Sequence, residues 1–166
     1  MDILTIASKK NERFLRQKTK NVDLKKLKEL NLPTLIREMK KIMRDADGVG
    51  LSANQIGLDM KLFVAEIPAD HAHGKSKFYA VLNPEIIKAE SEMAELEEGC
   101  LSVPGVFGSV SRPDKIVISG FDIRGKRLKL KAWGFLARVF QHEIDHLNGK
   151  LFVDRAKSLH TIENSK

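Results

Sequence analysis

The chain has little of several features that define whole classes of protein. Among its 166 residues there is one cysteine, Cys100, so no intramolecular disulfide can form and a disulfide-stapled secreted scaffold is excluded. No apolar run approaches the roughly 18 residues that a membrane-spanning helix needs. The short apolar stretch at residues 3–7 follows no basic segment, which does not indicate a signal peptide. We therefore expect a soluble, cytoplasmic protein with no membrane partner.

The composition is otherwise that of an ordinary globular protein. Hydrophobic residues make up 42% of the chain, and 29 Lys and Arg against 22 Asp and Glu give a formal net charge of +7. The length favours a single domain over residues 1–166, with a polar tail from about 155 to 166. The net charge permits an acidic partner such as RNA, but solubility alone would explain it.

Hydrophobic patterning predicts two helices among several strands. Apolar residues at helical spacing follow Pro33 and end at Gly48, which predicts an amphipathic helix, and a second helix is predicted over about 134–148. Residues 115–121 and 126–132 flank a short polar turn and indicate a β-hairpin. Charged residues 9–28 suggest an extended surface segment. The predicted class is α+β, with small antiparallel or mixed sheets packed around a central metal-binding helix and the amphipathic helix near the N-terminal third.

The second helix carries the pattern H-E-x-x-H. Its histidines, His142 and His146, are four residues apart and so lie on one helical face, where both imidazoles can reach one cation. Glu143 lies beside them, in a position to accept a proton from a bound water molecule. The remaining helix residues are largely apolar, and buried histidines need partners that a metal could supply.

A catalytic metal site usually has a third protein ligand, and the sequence offers two sources for it. Downstream candidates are Asp154, His160 and Glu163. The upstream candidate is Cys100, which can form a thiolate and follows Gly99, a residue whose missing side chain allows close approach of the backbone. A free cysteine is also often only a small buried apolar residue.

Three segments resemble the motifs of the peptide deformylase family. Residues 48–55 (GVGLSANQ), 98–102 (EGCLS) and 141–147 (QHEIDHL) are similar to its first, second and third motifs, in the same order and at similar spacing. The resemblance covers nearly the whole chain. It implies hydrolysis of the N-formyl group from N-formyl-methionyl nascent polypeptides, with release of formate.

The resemblance also implies a role for each motif residue. Cys100, His142 and His146 would bind one divalent metal, most often Fe²⁺, with Zn, Ni or Co as substitutes. Glu143 would act as the general base on the metal-activated water. The backbone N–H of Leu101 and the side-chain amide of Gln55 would stabilise the oxyanion that develops on the formyl group.

The substrate contacts are expected from residues around these motifs. They are Val49, Gly50, Gly99, Phe135, Arg138 and Val139, of which the apolar ones would surround the methionine side chain and the backbone of the first three would pair with the extended peptide.

The departures from the family pattern include three single residues. Ser52 replaces a more usual alanine, which we expect to be harmless. Arg138 replaces an aliphatic residue, which predicts a more basic pocket rim. Phe107 replaces an arginine that contacts substrate in some members. A pairing of Arg112 with Glu98 is a further hypothesis for positioning the cysteine loop.

Expectations for partners follow from the same resemblance. The expected substrate is a formyl-methionyl peptide, and the expected partner is the ribosome, in a transient association without sequence-specific nucleic-acid recognition. We expect a monomer, located in a bacterial-type cytoplasm rather than in an organelle matrix.

Two other functions compete with this one. A general metallopeptidase would cleave unformylated peptides and tolerate Cys100→Ser, and a basic RNA-associated module would hold a closed structural metal with four protein ligands.

Overall fold

The computed structural model describes residues 1–71 and 74–161, which form three α-helices, several 3-10 turns and eight strands. The helices are α1 (Lys9–Leu15), α2 (Leu32–Asp45) and α3 (Gly134–Leu147). The strands are β1 (Gly50–Ser52), β2 (Leu62–Ile67), β3 (Lys77–Ala89), β4 (Met93–Cys100), β5 (Val103–Pro113), β6 (Lys115–Phe121), β7 (Arg127–Trp133) and β8 (Ser158–Thr161). Within these residues, no helix is long and apolar enough to cross a bilayer.

The strands form two antiparallel sheets. The larger sheet has the order β1-β2-β3-β6-β7 and the smaller one the order β4-β5-β8. Strand β2 is buried on both faces, because Phe63 and Ala65 join a cluster with α3 while Leu62 and Val64 join a cluster with α2. The larger sheet therefore lies between the two long helices. The predicted α+β class is confirmed.

The strongly periodic segments match the expectations. The amphipathic α2 begins beside Pro33 and buries Ile36, Met39 and Met43, while its polar side faces solvent. The predicted hairpin is β6 and β7, and α3 occupies the predicted span. Helix α3 buries most of its residues, since it packs on the larger sheet on one side and faces β5 on the other.

Two polar segments differ from the expectations. Residues 9–28, expected to be extended, contain α1 and a 3-10 turn at Leu24–Glu29. Their pattern is weak because α1 is short and buries only Leu15. The C-terminal segment, expected as a polar tail, contributes β8, which pairs with β5 through backbone groups, so that its side chains need no apolar pattern.

Candidate metal centre and active-site cleft

Two elements bring the proposed metal ligands together. His142 and His146 lie on consecutive turns of α3, and Cys100 ends β4. One ligand atom from each residue lies within 4.8 Å of the other two, and Cys100 Sγ is 3.1 Å from His146 Nε2. The downstream alternatives are elsewhere. Asp154 accepts hydrogen bonds from Arg16, His160 pairs with Glu97, and Glu163 lies outside the described residues.

The chemistry of this donor set fits a divalent transition metal. A thiolate with two imidazoles is a ligand set that zinc and iron both accept, and three protein ligands leave one position open for water. His142 Nδ1 lies 3.0 Å from Glu98 Oε2, so this nitrogen donates to the carboxylate and the Nε2 lone pair is free for a metal. Burial alone would raise the pKa of the Cys100 thiol, but the neighbouring His146 and His142 outweigh it and lower that pKa well below its ordinary value. The residues present therefore fit the implied metal.

Glu98 holds the ligand cluster in place through a buried charge network. Its carboxylate accepts from Arg112 Nε at 2.6 Å, from Arg112 Nη2 at 2.9 Å and from Arg138 Nη1 at 2.6 Å, in addition to His142. Burial would raise the pKa of this carboxyl, but the hydrogen bonds from Arg112 and His142 hold it well below its ordinary value. The hypothesised pairing of Arg112 with Glu98 is confirmed, and Arg112 also donates to the buried Asp145 at 2.7 Å.

Arg138 belongs to this network and does not make the cleft rim basic. Its guanidinium is buried, where it donates to Glu98 and to the carbonyl oxygens of Val110 at 3.0 Å and Ala94 at 2.8 Å. The prediction of a more basic rim is therefore wrong. The negative charge of the buried Glu98 neutralises the guanidinium of Arg138. The sequence shows only that a cation is present at this position.

Glu143 is positioned by two residues of β1. Ser52 Oγ donates to Glu143 Oε2 at 2.6 Å, and a Cβ at Gly50 would overlap Glu143 Oε1, so the glycine leaves room for the carboxylate. Burial raises the pKa of Glu143, although His142, His146 and the Ser52 hydroxyl each act to lower it. The hydroxyl of Ser52 thus contacts the candidate general base, and the expectation that serine is harmless at this position stays a prediction.

Gln55 and Leu101 flank the cysteine. Gln55 is buried, its Oε1 accepts from the Ser52 backbone N–H at 2.9 Å, and its Nε2 donates to Ser102 Oγ at 3.0 Å while lying 3.7 Å from Cys100 Sγ. These contacts fix which end of the amide faces the cysteine. Gln55 and Leu101 both line the cleft beside the ligand cluster.

A cleft of about 480 Å³ opens over the ligand cluster. It is lined by all the residues expected to contact substrate: Val49, Gly50, Gly99, Phe135, Arg138 and Val139. Gly50 and Gly99 belong to β1 and β4, which are edge strands of the two sheets. The Val49 carbonyl already accepts from Glu66 N at 2.9 Å.

The outer part of the cleft is formed by Phe107, one of the departures from the family pattern, and is flanked by His160 and His71. Phe107 lines it and fills the space above Gly99, where a Cβ would come within 2.6 Å of the ring. His160 of β8 stacks on Phe107 with ring centroids 6.2 Å apart, and its Nε2 is 3.1 Å from Glu97 Oε2. His71 stacks on Phe135 at 4.4 Å. The contacts of His160 with Phe107 and of His71 with Phe135 join residues far apart in the sequence, so no local pattern could indicate them.

Known proteins similar to the chain agree on one family. The family description that matches residues 3–161 is polypeptide deformylase. A peptide deformylase of Picosynechococcus sp. is 42% identical over 89% of this chain and 76% of its own length. Chloroplastic peptide deformylase 1B of rice, Oryza sativa, is 43% identical over 81% of this chain and 49% of its own. The crystal structure of a Synechococcus elongatus peptide deformylase in complex with actinonin superposes with a TM-score of 0.82, at 36% identity, over 95% of this chain and 79% of that one.

Proposed function

The chain belongs to the polypeptide deformylase family, whose members are hydrolases of an N-formyl amide, and we propose that it removes the formyl group from N-formyl-methionyl nascent polypeptides and releases formate. The observation that carries this proposal is the cluster of Cys100, His142 and His146 at the base of a cleft, with Glu143 beside it. Three protein ligands with an open fourth position suit hydrolysis better than a structural metal.

Cys100, His142 and His146 would hold the metal, with Fe²⁺ the proposed working ion and Zn, Ni or Co able to replace it. When bound, a divalent metal polarises a water molecule and lowers its pKa towards neutrality. Glu98 and its arginine partners orient His142, so the ligand cluster is preorganised before a metal arrives.

Glu143 would accept the proton of the attacking water and later deliver it to the leaving amine. The contacts with Ser52 and the space over Gly50 hold its carboxylate in one orientation beside the ligand cluster. Burial raises the pKa of this carboxyl, which makes it a stronger base than an exposed glutamate. Such a base typically accelerates a reaction by about 10² to 10⁴.

The backbone N–H of Leu101 and the amide of Gln55 would stabilise the charge that develops on the formyl oxygen. Gln55 is anchored through its carbonyl oxygen to Ser52, which leaves its NH₂ group directed to the cysteine side of the site. A preorganised donor of this kind is worth about 3 kcal/mol in the transition state. Where the carbonyl carbon of an internal amide bears a carbon substituent, the formyl carbon bears a hydrogen, so a narrow site would accept it and exclude internal amides.

The substrate would lie as an extended peptide between the edges of β1 and β4, near Gly50 and Gly99. Its methionine side chain would enter the apolar part of the cleft between Val49, Phe135 and Val139. Arg138 would contribute only the stem of its side chain, because its guanidinium is held by Glu98.

We propose that the protein acts as a monomer that associates transiently with ribosomes, in a bacterial-type cytoplasm. Both bacterial and chloroplastic peptide deformylases are similar to the chain.

The decisive experiment measures formate release from a formyl-Met tripeptide by protein loaded anaerobically with Fe²⁺. We expect release that a chelator abolishes and that Glu143→Gln lowers by about 10² to 10⁴ without loss of metal. The matched control is Glu97→Gln, a neighbouring exposed carboxylate that also lines the cleft. Cleavage of unformylated peptides that persists in Cys100→Ser would instead identify a general metallopeptidase.

A further inference from the structure

Strand β7 presents a row of cations on one face. Arg127, Lys129 and Lys131 are exposed, and they alternate with the partly buried Leu128 and with Leu130 and Ala132, which pack in the core cluster with α3. Alternate residues of a strand lie about 6.8 Å apart on the same face. The row ends at Trp133, whose surface is 57% exposed although tryptophan is usually well buried.

This face of the larger sheet is covered by α2 only in part. Leu62, Val64 and Leu82 share the face and pack in the same cluster as α2, and the register runs from Leu82 through Phe121 to Arg127. The cationic row therefore lies on the same side of the sheet as α2, at the opposite edge from β1.

Neighbouring strands extend the row and form a depression beside Trp133. The depression has a volume of about 210 Å³ and is lined by Lys88, Lys115 and Lys131 around the indole. An acidic residue, Glu90, also lines it and lies 3.7 Å from Lys115 Nζ. Three lysines and one glutamate thus line a recess next to an exposed aromatic ring.

We propose that this face, defined by Lys88, Lys115, Arg127, Lys129, Lys131 and Trp133, binds single-stranded RNA. Cations in a row neutralise successive phosphates, and an exposed aromatic ring beside a recess is a surface on which an unpaired base stacks; their combination is typical of single-strand binding. The choice of RNA rests on the proposed function, since a nascent chain is met at the RNA-rich surface of the ribosome. The face is separate from the residues that line the cleft.

The single tryptophan makes the proposal directly testable. Titration with a 12-nucleotide uridine RNA should quench the fluorescence of Trp133, and anisotropy of the labelled RNA should give the affinity. Contacts to three or four phosphates predict a loss of roughly 20- to 50-fold in affinity between 50 and 200 mM salt.

Charge reversal distinguishes RNA binding at this face from attraction by the net charge of the whole protein. Lys129→Glu with Lys131→Glu should weaken RNA binding at least about 10-fold, and Trp133→Leu at least about 5-fold. The control is Lys9→Glu with Lys10→Glu, which changes the charge equally on exposed α1 and should stay within about two-fold.

Three results would overturn the proposal: no RNA binding at 50 mM salt, equal weakening in the α1 control, or equally tight and variant-sensitive binding of polyglutamate or phosphatidylglycerol vesicles. Formate release is measured on the same samples and should be unchanged in all three variants. RNA binding without formate release would contradict the proposed function and support RNA binding at this face. Formate release without RNA binding would contradict only the proposal that this face binds RNA.

Discussion

Glu97 and Glu98 are neighbours in β4, yet they have opposite surroundings. The Glu98 side chain is 5% exposed and accepts hydrogen bonds from Arg112, Arg138 and His142. The Glu97 side chain is 57% exposed and pairs with His160 at the outer part of the cleft. Consecutive strand residues point to opposite faces, so a single step along the chain separates the buried network from the rim.

The comparison shows that the cleft is held by two kinds of interaction. Buried ions are costly to remove from water, so each depends on its partners, and loss of one partner leaves the others uncompensated. An exposed pair gains little, because water and salt screen it. The proposed metal ligands are attached to the first kind, whereas the rim of the cleft at Glu97 and His160 depends on the second.

The largest effect is expected from breaking the buried network. Glu98→Ala leaves the buried Arg138 guanidinium without a carboxylate partner and leaves Arg112 with Asp145 alone. It should lower the free energy of unfolding by about 3 to 5 kcal/mol. It also removes the partner of His142 Nδ1, which should weaken metal binding by about 10- to 100-fold.

Urea unfolding and metal competition measure these two quantities for Glu98→Ala. The matched control is Glu97→Ala, which should change stability by about 1 kcal/mol or less. Equal destabilisation by the two variants would show that burial does not distinguish the two carboxylates. Should Glu98→Ala fail to fold, Glu98→Gln keeps the shape and still removes the charge.

A smaller effect is expected from crowding the candidate base. Gly50→Ala places a methyl group that overlaps Glu143 Oε1, so the carboxylate must leave its present position. We expect the turnover number to fall by about 10²-fold, within the range that a positioned base contributes. Metal content, measured on the same sample, should stay unchanged. A variant with full turnover would show that the position of this carboxylate is not critical.

Ser52→Ala should change the pKa of the same carboxylate, that of Glu143. The Ser52 hydroxyl helps to lower the pKa of Glu143, so its removal raises that pKa further. Glu143 is then protonated at a higher pH than in the unsubstituted protein. The acid limb of the kcat/KM profile should therefore move to higher pH. On that limb activity should fall about two- to ten-fold, the worth of one hydrogen bond, with little change above it. An unmoved limb would contradict this role.

The sequence predicted those parts of the fold and site that depend on local spacing. Helix α3 with His142 and His146, and the hairpin of β6 and β7, follow from periodicity within one segment. The contacts of Ser52 with Glu143 and of Arg138 with Glu98 join segments 91 and 40 residues apart, and no periodic pattern records such contacts.

Short elements were missed for a related reason. Helix α1 buries only Leu15, and the residues of β8 are exposed, so neither has an apolar pattern of its own. Their positions depend on the surface to which they attach, which exists only in the folded chain.

The smallest effect is expected at the rim. His160→Ala removes the ring that stacks on Phe107 and the partner of Glu97, so the outer wall of the cleft should loosen while the buried network stays intact. We expect KM for a formyl-Met tripeptide to rise about two- to three-fold at unchanged kcat, the size of a weak exposed contact. Thr161→Ala, an exposed residue of the same strand, is the control and should leave KM unchanged. A fall in kcat or in metal content with His160→Ala would show that the rim and the buried network are coupled, because a purely outer contact affects substrate binding alone.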